Sequence, residues 1–155
     1  MTLGAVSINK AVKELVDYKK AMCSKAERLV RLLTEQGVSL AQMNAAFMSI
    51  YDTGALVSGI ESRYEGAVGF VSSTAAHSCF CEFGTGVMGQ RNPHPDVALL
   101  GWRYDVNGHG DLGWWYIGQD GKAHWTKGMP SRPYMYETAK MLEKFVVPLA
   151  KEAFK

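Results

Sequence analysis

Apolar residues recur every three or four positions through the first third of the chain, with charged residues between them. This spacing places the apolar side chains on one face of a helix, which Ser7 is suited to cap and Gly37 to end. The predicted helix has about 28 residues, more than the 8–20 of most globular helices. Its length leaves surface for a neighbouring subunit. The apolar positions are Ile8, Ala11, Leu15, Tyr18, Met22, Ala26, Leu29 and Leu33.

A second short helix and then a change from helical to strand-like spacing follow. Ser39 and Gln42 have the spacing of a capping box, so a short second helix is predicted from there to about Ile50. Residues 53–83 are rich in small, β-branched and aromatic residues interrupted by glycine, which predicts two or three strands. Residues 84–112 are rich in glycine and show little periodicity, which is typical of a long functional or mobile loop.

The last third of the chain predicts a hairpin and a helix. Residues 114–126 carry aromatic and β-branched residues on both sides of Asp120 and Gly121, a pair that favours a tight turn. Pro133 fits the first position of a helix, and Pro148 should bend the last turns of that helix.

These elements predict one α+β domain over residues 1–155. It would comprise a helical region at 7–50, an antiparallel sheet at 53–126 that includes the loop, and a C-terminal helix at 133–154. A hydrophobic content of 47% and a charged content of 21% are those of an ordinary folded domain.

Charge and composition exclude several classes of protein. The 17 basic and 15 acidic residues leave a net charge of only +2, too little for a binder that holds nucleic acid by charge alone. No apolar run approaches the roughly 20 residues of a membrane span. The first residues do not resemble a signal peptide, and three cysteines are an odd number for a disulfide framework. We therefore expect a cytosolic protein without a membrane anchor.

The segment 84–89 has the spacing G-x-G-x-x-G, which in dinucleotide-binding proteins opens a helix that binds pyrophosphate. Here Pro93 and Pro95 follow the third glycine closely, and prolines disfavour a regular helix. A glycine-rich turn is the better interpretation, and we expect no cofactor.

His77, Cys79 and Cys81 alternate, so on a strand they would share one face. With a fourth ligand they would form a zinc site, and with a histidine as base either cysteine would be a nucleophile. The spacing is unlike that of most zinc sites, and we assign no metal ligand and no catalytic residue. A small metal-binding or cysteine-hydrolase domain remains the alternative function. The candidate fourth ligands, or bases, are His94, His109 and His124.

Aromatic residues are concentrated between positions 102 and 125. Aromatic side chains on a hairpin stack on sugars or bases, pair across strands, or anchor protein interfaces. The residues are Trp102, Tyr104, Trp114, Trp115, Tyr116 and Trp125.

Three segments, in this order, resemble the neck or tail-completion proteins of long-tailed bacteriophages and related prophages. They are TGALVSGI at 53–60, CEFGTG at 81–86 and KGMPSRPYMYETA at 127–139. The matching residues are Thr53, Gly54, Leu56 and Ile60, then Glu82, Phe83, Gly84 and Thr85, and finally Gly128, Met129, Arg132, Pro133, Tyr134 and Met135.

The resemblance implies a structural protein of the virion rather than an enzyme, assembled in the bacterial cytoplasm. Such a protein would form a homo-oligomeric ring of sixfold or twelvefold symmetry, in tail completion or head–tail joining. Its partners would be tail tube or tail terminator proteins and head connector proteins, with no specific nucleic acid. The motif residues, with Gly86 added for loop flexibility, would serve the interfaces, and Arg132 would pair with Glu82.

Overall fold

The computed structural model describes residues 5–48, 50, 54–105, 108 and 112–155, except for the side chains of residues 5, 6 and 99. Thr53 and His109 lie outside the described residues. The predicted α+β class is confirmed. The elements are α1 (Ala5–Phe47), α2 (Ala55–Ser58), β1 (Ile60–Glu65), β2 (Val68–Ser73), α3 (Ser78–Phe83), α4 (Gly86–Arg91), α5 (Val97–Leu100), β3 (Trp114–Ile117), β4 (Ala123–Thr126), α6 (Tyr134–Glu143) and α7 (Val146–Ala153).

Helix α1 is one continuous helix of 43 residues, about 64 Å long. The predicted end at Gly37 and the separate helix starting at Ser39 are therefore wrong. Gly37 is buried against β2, where a Cβ atom would lie only 2.9 Å from Cγ2 of Val71. This glycine serves close packing of the helix on the sheet, and not helix termination.

The strands form two separate antiparallel hairpins in the described part of the chain, and not one sheet. In the first, β1 and β2 pair from Ile60 opposite Ser73 to Glu65 opposite Val68. In the second, β3 and β4 pair across the predicted turn, which is confirmed.

Two predictions for residues 77–112 are wrong. The alternating segment around Cys79 and Cys81 forms helix α3 and not a strand. Residues two apart on a helix are separated by about 200°, so Cys81 is buried whereas Cys79 is exposed. The expected irregular loop contains α4 and α5, and the two prolines lie between these helices.

The C-terminal helix is interrupted as its sequence predicts. Helix α6 ends at Glu143 and α7 begins at Val146, so the break lies about four residues before Pro148. Proline has no N–H group to donate, and its ring clashes with the carbonyl four residues earlier, here that of Lys144. Pro133 is the N-cap of α6 and not, as predicted, its first helical residue.

The hydrophobic core lies where α1, α2, β1, α3 and α6 meet. Leu56 and Tyr134 are its largest fully buried side chains, and Ala41 and Ala45 present small side chains from α1. A buried hydrogen bond of 3.0 Å, from Nδ2 of Asn44 to Oγ1 of Thr138, joins α1 to α6. The core also contains Ile50, Ile60 and Cys81.

Burial raises the pKa of Tyr134 to about 12. An unfolded tyrosine ionises near pH 10, so the folded state resists ionisation of this hydroxyl. We expect its contribution to stability to be complete below pH 10. The free energy of unfolding should then fall by about 1.4 kcal/mol per pH unit as pH rises from 10 to 12.

Urea unfolding between pH 8 and 11.5 measures this slope. Tyr134→Phe should remove the part of it due to Tyr134, whereas Tyr18→Phe, at an exposed position, should leave the slope unchanged. Equal slopes in the wild type and in Tyr134→Phe would show that the hydroxyl does not titrate as expected.

Candidate functional site

The second and third motif segments lie against each other in the structure. Thr85 donates its N–H to the carbonyl of Met129 at 2.9 Å, and Met129 returns its N–H to the carbonyl of Thr85 at 3.2 Å. We call this unit, formed by residues 81–86 and 127–136, the motif junction.

Further hydrogen bonds extend the motif junction on both sides of the Thr85 pair. Arg132 donates its N–H to the carbonyl of Cys81 at 2.9 Å. The hydroxyl of Ser131 donates to the carbonyl of Glu82 at 2.6 Å. The two segments, more than forty positions apart in the chain, therefore form one hydrogen-bonded structure.

The carboxylate of Glu82 caps the start of α6. The N-cap residue of that helix, Pro133, has no side-chain acceptor. Oε2 of Glu82 instead accepts the N–H of Met135 at 2.9 Å, and Oε1 accepts the N–H of Tyr136 at 3.0 Å. A negative charge at a helix N-terminus is favourable, because the first N–H groups have no partner within the helix.

His94 completes the surroundings of this carboxylate. Its Nδ1 accepts the N–H of Asp96 at 3.0 Å, which places the ring proton of the neutral imidazole on Nε2. Nε2 lies 3.2 Å from Oε1 of Glu82 and donates to it. Both ring nitrogens are thus engaged, and His94 has no lone pair with which to act as a base toward Cys79. His94 is thus the side chain that lies against Oε1 of Glu82, and the expected pairing of Arg132 with Glu82 stays a prediction.

Aromatic rings cover the motif junction. The ring of Phe83 lies 4.7 Å from that of His94 and 4.9 Å from that of Trp102, measured between centroids. Nε1 of Trp102 donates to the carbonyl of Gly84 at 3.0 Å. Trp102 is therefore fixed against the motif junction by both packing and hydrogen bonding.

Gly84, the first glycine of GTGVMG, lies where the backbone of another segment comes very close to it. Gly84 has φ 76° and ψ 169°, a conformation open essentially to glycine alone. A Cβ atom there would also lie 2.6 Å from the backbone nitrogen of Ser131.

The N-terminus of α4 is already occupied by the chain itself. Its first N–H, that of Gly86, donates to the carbonyl of Tyr104 at 2.9 Å. Met88 donates its N–H to the carbonyl of Lys127 at 3.1 Å. A pyrophosphate would have to displace both contacts.

An open cleft of about 390 Å³ lies beside the motif junction. Glu82 and His94 line it, but the contacts already described engage both carboxylate oxygens and both ring nitrogens. Cys79 is exposed there, while burial raises the pKa of Cys81 and keeps its thiol protonated. These polar groups hold the chain together, and the chemistry we can assign to them is structural.

The alternative metal site required His77, Cys79 and Cys81 to share one face of a strand. Residues 78–83 form a helix instead, and Cys79 and Cys81 lie on different sides of it. Within the described ranges, no three His, Cys, Asp or Glu residues are grouped closely enough to hold a metal ion.

Several of the remaining motif residues also have structural positions within the chain. Gly54, with φ 76°, is the N-cap of α2, and Leu56 belongs to the core. Thr85 and Gly86 are buried in the motif junction, while Met129 is partly exposed beside it. The motifs did not identify His94 or Trp102 as members of this site. Their roles depend on contacts with Glu82 and Gly84 that no local spacing encodes.

Comparisons of the chain with protein-family models, with curated proteins and with solved structures found no match. In the part of the chain that the structure describes, no helix combines the length and the apolar character needed to cross a bilayer. A function must therefore be argued from the motifs and from the surface.

Glu82→Gln should destabilise the protein. The amide nitrogen donates rather than accepts, so at least one of three N–H groups loses its acceptor in a buried place. We expect a loss of about 2–3 kcal/mol in the free energy of unfolding, measured with urea. Glu143→Gln, on an exposed residue at the other end of α6, is the control and should change little. Similar small losses in both variants would contradict the capping role.

Gly84→Ala tests the close approach. The combined cost of conformation and steric clash should be about 3 kcal/mol or more, measured by thermal or urea unfolding. Gly101→Ala is the control, because Gly101 has φ 63° but no neighbouring atom within 4 Å of the added carbon. It should cost only about 1 kcal/mol. Equal costs would mean that the contact with Ser131 relaxes freely.

Proposed function

We propose that this protein is a virion assembly protein that forms a ring at the neck or tail end of a long-tailed phage, prophage or phage-tail-like particle. Its role would be tail completion or head–tail joining. The resemblance of three segments to the phage proteins supports this. The motif junction adds support, because the second and third segments, recognised separately in sequence, form one hydrogen-bonded unit.

The uncovered half of α1 is the observation that carries the proposal. Every described side chain from residue 7 to residue 24 is exposed, including Leu15 at 68% and Tyr18 at 65%. Among the described residues, partial burial of α1 begins at Lys25, whose Nζ donates to the carbonyl of Phe154 at 3.0 Å. An apolar surface of this extent is at the upper end of what a monomer exposes, and such surfaces often mark interaction sites, so we expect a partner to cover it.

A second exposed apolar surface lies on the β3–β4 hairpin. Trp115 is 65% and Ile117 70% exposed, and Trp115 packs edge-on against Trp125 with centroids 5.5 Å apart. A closed ring requires head-to-tail contacts, in which each subunit uses two different surfaces. Two separate apolar surfaces on one chain fit that requirement, and they also offer contacts to tail and connector proteins.

The charge of the chain fits the same role. A net charge of +2 in 155 residues provides little electrostatic attraction for a DNA backbone. A ring through which DNA passes benefits from such weak attraction, because strong binding would hold the DNA in the channel.

Deletion of the gene from its phage or prophage tests the proposal. We expect electron micrographs to show heads and tails that are made but not joined, or tails that are unfinished. The wild-type gene supplied in trans should restore particles. Light scattering of the purified protein should give the mass of a closed oligomer, alone or with tail and connector proteins. Normal infectious particles from the deletion would refute the proposal, as would a protein that stays monomeric with every such partner.

A further inference from the structure

We infer that residues 8–22 of α1 bind the same segment of neighbouring copies of this chain as a parallel coiled coil. The inference rests on the proposed ring and specifies the contact that would build it.

The apolar residues of this segment follow a heptad repeat. Ile8, Leu15 and Met22 are seven residues apart, and Ala11 and Tyr18 occupy the intermediate positions. Apolar residues at an average spacing of 3.5 form the seam of helices that pack side by side. The partner that this spacing fits is another helix.

The exposed area is large enough for such a contact. The apolar side chains of residues 8–22 leave on the order of 500 Å² open, at the upper end of what a monomer exposes. Two such surfaces together bury roughly 1,000 Å², which reaches the size of a specific interface. Further along the same apolar stripe, Leu29 and Leu33 are partly buried, and α1 contacts both α6 and α7.

Charge favours a parallel orientation. Glu14 and Lys19 lie on opposite sides of the seam, five residues apart. Residues five apart do not face each other on one helix, so Glu14 and Lys19 of the same α1 do not pair with each other. In a parallel pair, Glu14 of one copy faces Lys19 of the other, and the reverse contact forms as well. An antiparallel pair would instead bring Lys19 near Val12 and Glu14 near Ala21, without opposite charges.

A parallel orientation is also what a ring requires. Rotation about an axis along the helices keeps all copies parallel, whereas an antiparallel pair closes as a dimer. Val12 and Val16 extend the exposed apolar stripe on the side opposite Ala11 and Tyr18. Each helix therefore has apolar surface for two neighbours.

Cysteine cross-linking determines the orientation. Ile8 and Met22 are about 21 Å apart along the helix. In a background with the exposed cysteines removed (Cys23→Ser and Cys79→Ser), Ile8→Cys and Met22→Cys should each cross-link to their own copies with a short bismaleimide. A coexpressed mixture should give no link between positions 8 and 22. Lys13→Cys, on the face away from the seam, is the control and should not cross-link.

Charge reversal tests the pairing itself. Glu14→Lys and Lys19→Glu should each raise the concentration at which half of the protein is assembled by roughly tenfold. This factor is the combined effect of losing the contact at every interface of the ring. The double variant should restore assembly, because it exchanges the charges. Asp17→Lys combined with Lys20→Glu makes the same exchange outside the seam and should leave assembly unchanged.

The outcomes separate this inference from the proposed function. Rings in which position 8 links to position 22, or in which neither position cross-links, would overturn the parallel coiled coil and leave the ring proposal standing. Links between like positions in a protein that forms no ring would support parallel pairing and contradict the ring. Failure of the double charge variant to recover would contradict the Glu14–Lys19 contact.

Discussion

The start of α6 depends on a carboxylate from another part of the chain. Pro133 leaves the first N–H groups of the helix without a side-chain acceptor, and Glu82 of α3 supplies one. Helix α6 in turn places Tyr134 in the core and Thr138 against α1. One buried carboxyl group, itself hydrogen-bonded to His94, therefore links α3 to the main helix packing.

This constraint gives a physical role to the second and third motif segments. EFGTG supplies the cap and a backbone conformation that glycine alone adopts readily, while GMPSRPYM supplies the helix start that needs the cap. Because each segment requires the other, their occurrence together is explained by folding of the subunit. In the proposed ring, residues of these segments would fix the shape of the chain, while α1 and the β3–β4 hairpin present the exposed apolar surfaces on which the proposal rests.

The two exposed apolar surfaces differ in secondary structure and in regularity. The uncovered half of α1 is regular and periodic, whereas the β3–β4 hairpin presents aromatic rings on a short sheet. Apolar burial stabilises a helix that extends beyond its own domain only if another molecule provides the cover. The ring that we propose would supply this cover.

Local sequence determined the features whose physical cause is local. The apolar period of α1, the Asp120–Gly121 turn and the interruption before Pro148 each follow from a few neighbouring residues. The α+β class could be predicted in the same way. The heptad repeat within residues 8–22 was also present in sequence, but only the structure showed that this part of the helix is uncovered.

Tertiary structure decided the features that depend on distant residues. Gly37 continues a helix because β2 approaches it there, although a glycine at that point resembled a helix end. Residues 78–83 alternate like a strand, yet they form a helix whose Glu82 reaches α6. His94 lies against the motif junction because its ring is hydrogen-bonded to both Asp96 and Glu82. Such choices were not readable from local spacing, since the hydrogen bonds and packing that favour them join segments far apart in the chain.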